Sequence, residues 1–263
     1  MENINLSHSR ADTFCGRQVY YRDVEKKVWV ENYYTAMGHI SEARVNGELQ
    51  NRMSGVEGRG IAEEMQKVMD DLLPKIPKEE ERNSVRQDFP PAIVAVQKYI
   101  ETIDYTPLRL QEYFNFHMDG HDGEEHPVKG CVDIVAERNG HPLIIDLKRK
   151  KAPIKRDNYG YRMQVALYSL WLMQARTLDS IPSTEIHVLL SGKNPQVWDV
   201  GVTVEDMYEA MYRLKDLGWR LSNNYFPMAR GHVLCSPKWC NFWDQCHMDD
   251  FCGFDDLISN IKP

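Results

Sequence analysis

The sequence predicts an α/β protein in which a mixed central β-sheet is flanked by helices. Three observations carry this prediction: a hairpin pattern at residues 129–149, a helical pattern at 159–177, and a further apolar strand, IHVLLSG. A hairpin supplies antiparallel neighbours, and a strand reached through a helix supplies a parallel one, so the sheet should be mixed. The chain has 263 residues, 42% of them hydrophobic, which is enough for one sizeable core with appendages or for one domain with a small lobe.

The elements follow from periodicity and from turn residues along the chain. Residues 1–25 form an entry segment rich in aromatic residues, and the polar stretch 26–55 carries no clear pattern. An apolar stripe with helical spacing begins at Ile61 and predicts a helix over about 56–74. The charged run PKIPKEEERNSVRQDFPP reads as a connection, and FHMDGHDGEEHP reads as a solvated loop. The remaining predicted elements are helices at 91–103, 159–177 and 204–222, and strands at 109–117, 129–138, 142–149, IHVLLSG and VWDVGVTV.

The hairpin is the best-defined feature. Asn139-Gly140 lies between two β-branched, apolar runs, which is typical of a two-residue type I′ turn. In such a hairpin Arg138 pairs with His141. Pro142 then falls at a non-hydrogen-bonded pair, where its missing N–H leaves the ladder intact.

This register predicts a chemically unusual pair. Counted from the turn, Asp133 lies opposite Asp146, with Cβ atoms roughly 4.5–5.5 Å apart. Lys148 points to the same face as Asp146, and Cys131 would oppose it. Two facing carboxylates repel each other unless a proton or a cation lies between them. Together with the lysine they indicate a divalent metal site that handles a phosphate, the equipment of phosphodiester hydrolysis. An ordinary exposed polar face is the alternative interpretation.

These residues also resemble a known family. Val132-Asp133 followed by Ile144-Ile145-Asp146-Leu147-Lys148 resembles the core of the RecB-like branch of the PD-(D/E)XK nucleases. Gln164 and Tyr168, one helical turn apart, resemble the Q-x-x-x-Y motif of that branch. The resemblance implies a restriction-endonuclease-like core over about 56–222. It also implies the catalytic set Asp133, Asp146, Lys148, Gln164 and Tyr168.

The resemblance further implies a Mg²⁺ or Mn²⁺ site. Asp133, Asp146 and the backbone carbonyl of Leu147 would be ligands. The family places another ligand on a preceding helix, four residues after a glycine. Gly60 puts Glu64 at that position, with Glu63 as the fallback.

Six cysteines make a second argument. The run Cys235 to Cys246, including Cys240, resembles the C-terminal motif of RecB-like nucleases that carry a [4Fe–4S] cluster. Cys15, in SHSRADTFCGRQVYY, matches the distant fourth ligand, although glycine follows it instead of the usual proline. This implies a small lobe built from about 1–25 and 223–263, within one nuclease domain spanning 1–263. The alternatives are a Zn²⁺ site that uses Cys252 or His247, and plainly buried cysteines.

The charge pattern suits a nucleic-acid enzyme better than a DNA-coating protein. The net charge is −7, yet residues 147–162 hold seven Lys and Arg residues against one acid. This stretch follows the predicted active site, where a phosphate backbone would lie, although a basic exposed loop would look similar. The predicted DNA-binding residues are Lys150, Lys151, Lys155, Arg156 and Arg162.

The expected function follows from the resemblance. It implies a metal-dependent DNA exonuclease, similar to CRISPR-associated and phage RecB-like exonucleases. Such enzymes act on single strands or DNA ends in recombination, repair or phage DNA metabolism. A non-catalytic nucleic-acid-binding scaffold subunit and a structure-specific endonuclease are the alternatives. The sequence has no helicase motif, so translocation would need a helicase or recombination partner. The sequence shows no membrane-spanning or secretory stretch, which predicts a cytoplasmic protein.

Overall fold

The computed structural model describes residues 6–7, 16–27, 31–56, 60–121, 123–155, 158–223, 225–226, 240, 242 and 245–246. Its helices are α1 (Gly16–Val19), continued by a π-helical turn (Tyr20–Val24), α2 (Tyr33–Ser54), α3 (Ile61–Leu72), α4 (Glu79–Glu101), α5 (Tyr159–Arg176) and α6 (Val204–Ser222). Its strands are β1 (Thr106–Asp119), β2 (Glu125–Arg138), β3 (His141–Lys150), β4 (Ser183–Leu190) and β5 (Gln196–Asp199). Within these ranges, no helix has the length and apolar character needed to cross a membrane.

The five strands form one mixed sheet in the order β1-β2-β3-β4-β5. All neighbours are antiparallel except β3 and β4, which are parallel because α5 carries the chain back between them. The predicted mixed sheet is therefore confirmed. So is the hairpin register from Arg138 opposite His141 to Ile134 opposite Ile145. Both turn residues, Asn139 and Gly140, have positive φ, as a type I′ turn requires.

Helices cover both faces of the sheet. One face packs against α5 and α6, where Val132, Ile144 and Leu167 belong to a single buried cluster. The opposite face packs against α2, α3 and α4, around Ile134 and Ile145. Because both faces of β3 are covered, its run Leu143–Ile145 is apolar at consecutive positions instead of alternating.

Helix α2 occupies the stretch for which the sequence predicted no element. Asn32 caps it, because its side chain accepts hydrogen bonds from the N–H groups of Tyr34 and Thr35, and Thr35 bonds back to the Asn32 N–H. Gly55 ends the helix with φ +66°, the left-handed conformation favoured after a helix C-terminus. Interior positions such as Ile40 and Val45 are buried, but polar residues interrupt the stripe. The periodicity was therefore weak in the sequence.

Helix α4 corrects the predicted charged connection. It runs from Glu79 to Glu101 and includes Pro90 and Pro91. The predicted helix at 91–103 was therefore only its second half. Three glutamates in the first turn favour the helix N-terminus electrostatically, and buried Val85 and Phe89 anchor the half before the prolines. Tertiary packing offsets the hydrogen bonds that the prolines remove.

The histidine-rich stretch is also more ordered than predicted. Strand β1 extends to Asp119 and β2 begins at Glu125, so His117 pairs with Pro127 and Met118 with His126. The stretch lengthens the β1–β2 hairpin, and only its tip is a turn.

Candidate active site

The sheet opens at Asp133. The predicted ladder pair of Asp133 with Asp146 is not formed, because the last β2–β3 pair is Ile134 with Ile145. The Leu147 N–H instead donates to the Asp133 carboxylate, at 2.8 Å. This bond fixes the Asp133 side chain next to the backbone that carries Asp146.

The ladder is also irregular on the other side of Asp133. In β1 the ladder pairs Leu110 with Ile134 and Glu112 with Val132 but skips Gln111, which has φ +50°. A non-glycine residue in this region is strained, and such residues cluster at functional sites. Both neighbours of β2 thus depart from regular pairing where Asp133 lies.

Asp146 and Lys148 form a buried ion pair. Asp146 has no exposed surface, and the Lys148 ammonium lies 2.9 Å from its Oδ1 and 2.8 Å from its Oδ2. Only the contact to Oδ1 has hydrogen-bond geometry, so within the described part of the chain Asp146 Oδ2 is a buried acceptor without a donor. The Lys148 ammonium therefore contacts Oδ2 only as an ion pair, and this buried oxygen keeps a lone pair that could bind a cation.

The charges of the site oppose one another. Burial raises the pKa of Asp133, and the nearby carboxylate of Asp146 raises it further. Burial also raises the pKa of Asp146, although Lys148 counteracts part of that effect. For Lys148, burial lowers the pKa, but the two carboxylates outweigh burial and the net shift is upward. The two carboxyl groups are therefore harder to ionise together than apart, and a bound cation would relieve that cost.

A third carboxylate, Glu42 on α2, belongs to this group and was missed by sequence reasoning. Its charge raises the pKa values of both Asp133 and Cys131, after the larger effects of burial and of neighbouring aspartates. The Gln111 amide donates to Glu42 at 2.5 Å, and Cys131 Sγ lies 3.3 Å from Gln111 Oε1. The strained Gln111 thus links α2 to the active-site strand.

A sequence signal for Glu42 existed. Glu42 follows Gly38 by four residues, the same spacing that selected Glu64 after Gly60. Glu64 itself pairs with Arg44 at 3.2 Å and lies against Gly47 of α2. The structure describes no contact between Glu64 and the two aspartates, so its predicted role as a ligand lacks the support that Glu42 has.

The predicted Q-x-x-x-Y pair is assembled. Gln164 Nε2 donates to the Tyr168 hydroxyl at 2.7 Å, one turn along α5. Burial raises the pKa of Tyr168 well above its usual range, and the charges of Asp146 and Asp133 add to that shift. Tyr168 therefore lies in the electrostatic field of both aspartates as a neutral hydroxyl. The Leu147 carbonyl remains a predicted ligand.

The donor set fits a hard divalent cation that keeps part of its water shell. Carboxylate oxygens are the ligands that Mg²⁺ and Mn²⁺ prefer, and Mg²⁺ is usually held by only one or two of them. In the described residues, no three His, Cys, Asp or Glu side chains form a ready-made cage. Asp133 and Asp146 could provide two ligands, and Glu42, whose charge acts on Asp133, is a candidate for a third.

The basic residues after Lys148 have different partners. Lys151 pairs with Asp88 at 2.7 Å, and Arg162 with Asp206 at 3.0 Å. Lys150 lies 5.8 Å from the centre of the Tyr161 ring. Lys155 is exposed, and Arg156 lies outside the described residues.

Two of the four predicted cluster cysteines, Cys240 and Cys246, are among the described residues. Cys15 and Cys235 lie outside the described residues, but Gln18 donates to Cys240 Sγ at 3.5 Å. Tyr21 packs on Phe242 with ring centroids 5.3 Å apart, in a cluster that includes Cys246. The segment that follows Cys15 therefore lies against the segment that carries Cys240 and Cys246, as a joint lobe requires.

Comparison with known proteins places this fold and site in a family. The model of the PD-(D/E)XK nuclease superfamily matches residues 6–247, so the chain belongs to that superfamily. Among curated proteins none matches.

One solved structure has a similar fold. A candidate exonuclease from Eubacterium rectale superposes with a TM-score of 0.59 and 14% identity, over 89% of this chain and 87% of that chain. At this identity the similarity concerns the fold alone. The protein SSO0001 gives a TM-score of 0.37 at 14% identity, over 70% of this chain and 87% of that chain. VC1899 from Vibrio cholerae gives 0.19 at 13% identity, over 83% and 56% respectively. The TM-scores of SSO0001 and VC1899 are too low to support a conclusion about the fold.

Proposed function

We propose that the protein is a metal-dependent deoxyribonuclease that hydrolyses phosphodiester bonds from the ends of DNA. One observation carries the proposal. In a chain of the PD-(D/E)XK superfamily, Asp133, Asp146 and Lys148 meet where the sheet opens, and Asp146 keeps a buried oxygen without a donor. The exonuclease class rests on the similar fold of the Eubacterium rectale protein and remains a proposal for this chain.

The residues divide the chemical tasks among them. Asp133 and Asp146 would hold Mg²⁺ or Mn²⁺, with Glu42 supporting from α2 directly or through water. When bound, the cation supplies Lewis-acid stabilisation of the phosphate and lowers the pKa of a coordinated water. The Leu147 N–H keeps Asp133 oriented by its hydrogen bond of 2.8 Å.

Lys148 supplies the positive charge that developing phosphate oxygens require. Its ammonium is held between Asp146 and the Tyr161 ring, 5.3 Å from the ring centre, so it is positioned before the substrate arrives. Gln164 and Tyr168 of α5 form a hydrogen bond, and Tyr168 lies in the electrostatic field of Asp133 and Asp146. We propose that they orient the substrate backbone or the attacking water.

The decisive experiment compares the purified protein with its Asp146→Ala and Lys148→Ala variants, in Mg²⁺ or Mn²⁺. The substrates are linear DNA labelled at either end and circular DNA of the same sequence. We expect end-dependent degradation of linear DNA, and a loss of at least about a hundredfold in either variant. Wild-type activity in either variant would refute the site. Cleavage of the circle would indicate an endonuclease. Binding to DNA without cleavage of any substrate would indicate a non-catalytic scaffold.

We also propose that Cys15, Cys235, Cys240 and Cys246 hold a structural [4Fe–4S] cluster. The proposal is supported by the contacts of Gln18 and Tyr21 with the C-terminal segment. Such a cluster would close a very long loop, where a covalent link removes the most unfolded-state entropy.

Elemental analysis of anaerobically purified protein tests the cluster. Four iron and four sulfide per chain are expected, with loss of both in Cys240→Ser. One zinc per chain without sulfide would show that these cysteines form a Zn²⁺ site and not an iron–sulfur cluster. Absence of both metals would refute metal binding by these cysteines.

A further inference from the structure

A cavity lies where strand β3, which carries Asp146 and Lys148, comes to its end. Its volume is about 310 Å³, at the lower end of the range for small-molecule and cofactor sites. The start of α2 forms one wall and the end of β3 forms the other. Its lining residues are Tyr33, Tyr34, Met37, Arg149, Lys150 and Lys151.

The β3 wall carries positive charge that the protein does not fully neutralise. Within the described residues neither Arg149 nor Lys150 has a carboxylate within ion-pair distance, whereas Lys151 is paired with Asp88. The Arg149 guanidinium is held in place by Ser191 Oγ at 2.5 Å and by the Leu189 carbonyl at 3.4 Å. Its buried Nε donates to no acceptor in the described part of the protein. A guanidinium held in place on the wall of a cavity is suited to a phosphate oxygen.

The α2 wall carries aromatic surface. Tyr34 has 61% of its surface exposed, and its ring stands edge-on against Tyr33, with centroids 5.0 Å apart. Tyr33 is immobilised in turn, because its hydroxyl bonds to Asp88 and the Lys151 ammonium lies 4.8 Å from its ring centre. A buttressed and largely exposed aromatic ring provides a stacking platform for a base.

The position of the cavity relates it to the cleaved strand. Lys150 is two residues beyond Lys148, or about 7 Å along an extended strand. Tyr34 precedes Glu42 by eight residues, or about 12 Å along a helix. The two walls of the cavity thus belong to the same strand as Lys148 and to the same helix as Glu42.

We propose that this cavity is a nucleotide subsite, in which one base of the substrate strand stacks on Tyr34 while its phosphate contacts Arg149 and Lys150. The inference rests on the proposed nuclease function and names the form of its substrate. A base in a duplex is stacked and paired, so it enters such a cavity only from a single strand or a frayed end. The subsite therefore selects unpaired DNA.

Binding measurements on a catalytically inactive chain test the subsite independently of cleavage. Fluorescence anisotropy of Asp146→Asn protein is measured with a labelled oligothymidylate and with a blunt duplex of equal length. Adding Tyr34→Ala should weaken binding of the single strand by about tenfold or more and leave duplex binding nearly unchanged. Tyr34→Phe should retain the affinity, since it keeps the ring. Tyr208→Ala, at an exposed tyrosine of α6, is the matched control and should have no effect.

Charge is tested in the same assay. Lys150→Gln should weaken single-strand binding and reduce its salt dependence, while Lys67→Gln on α3 should change neither. Circular dichroism verifies that each variant is folded.

The outcomes separate the two proposals. If wild-type protein cleaves DNA but Tyr34→Ala binds the single strand normally, the subsite is refuted and the nuclease stands. If Tyr34→Ala loses binding while wild-type protein cleaves nothing, the subsite stands and the catalytic proposal fails. If Tyr34-dependent binding is found only for free thymidine monophosphate, the cavity is a mononucleotide site and not part of a strand-binding path.

Discussion

Asp133→Asn should stabilise the metal-free protein while it abolishes cleavage. Asp133 shares the opened end of the sheet with Asp146, which is completely buried, and with Glu42. Without a cation these carboxylates destabilise one another. Asparagine removes one charge and keeps an oxygen that accepts the Leu147 N–H, so the local backbone should be preserved.

The size of the effect is that expected for close like charges. Two unit charges about 4–6 Å apart repel by about 3–4 kcal/mol at an effective dielectric constant of about 20. The Lys148 ammonium, 2.8 Å from Asp146, offsets part of this repulsion. A net gain of about 1–2 kcal/mol remains, which corresponds to a rise in Tm of about 2–6 °C for a chain of this size.

Calorimetry in EDTA and in Mg²⁺ is the assay. In EDTA the variant should melt above wild type. Mg²⁺ should stabilise wild type, by about 2.7 kcal/mol at a hundred times its Kd, and should stabilise the variant much less. Asp71→Asn, which removes the charge of an exposed aspartate in the last turn of α3, is the control for surface charge. A variant that melts below wild type in EDTA would show that the carboxylates do not repel each other as inferred.

Three further outcomes are expected. Glu42→Gln should weaken Mn²⁺ binding and cleavage by about tenfold or more, whereas Glu64→Gln should change neither; calorimetric titration with Mn²⁺ decides between them. Glu185→Gln should destabilise the fold by about 3 kcal/mol at neutral pH. Although burial raises the pKa of Glu185, its bonds to His187 and Arg138 lower it to about 2, from an ordinary value of 4.5. That stability is present above about pH 4.5 and is lost as the pH falls towards 2, so urea titrations should show the difference between wild type and variant disappearing in acid. Gly130→Ala should cost about 1–3 kcal/mol, because its Cβ would lie 2.3 Å from the Phe114 ring; an added Phe114→Leu should recover part of the loss.

The hairpin and its chemistry were predictable because they depend on neighbours in sequence. Asn139 and Gly140 determine the turn type, and the turn determines which residues face each other for the next few pairs. Asp146 and Lys148 share a face through the two-residue period of a strand. Gln164 and Tyr168 are in contact through the helical period, and their hydrogen bond confirms that spacing.

Helix α4 was not predictable in the same way. Pro90 and Pro91 argue locally against a helix, and residues 79–101 are strongly charged. The helix is stabilised by burial of Phe89, Ala92 and Val96 against the sheet layer, which are contacts between residues distant in sequence. Tertiary packing outweighs local propensity here.

The position of Glu42 in the site was likewise not predictable from the sequence alone. Gly38 and Gly60 each precede a glutamate at the same spacing, so local sequence could not choose between Glu42 and Glu64. The choice depends on which helix crosses the opened strand, and α2 does so, through Gln111. The sequence by itself determined the β2–β3 hairpin, the Gln164–Tyr168 contact and the mixed sheet, because short-range backbone periodicity dictates them. Only the tertiary structure decided which carboxylate joins Asp133, where the ladder opens, and that Tyr34 and Arg149 enclose one cavity, because those contacts arise when distant segments pack.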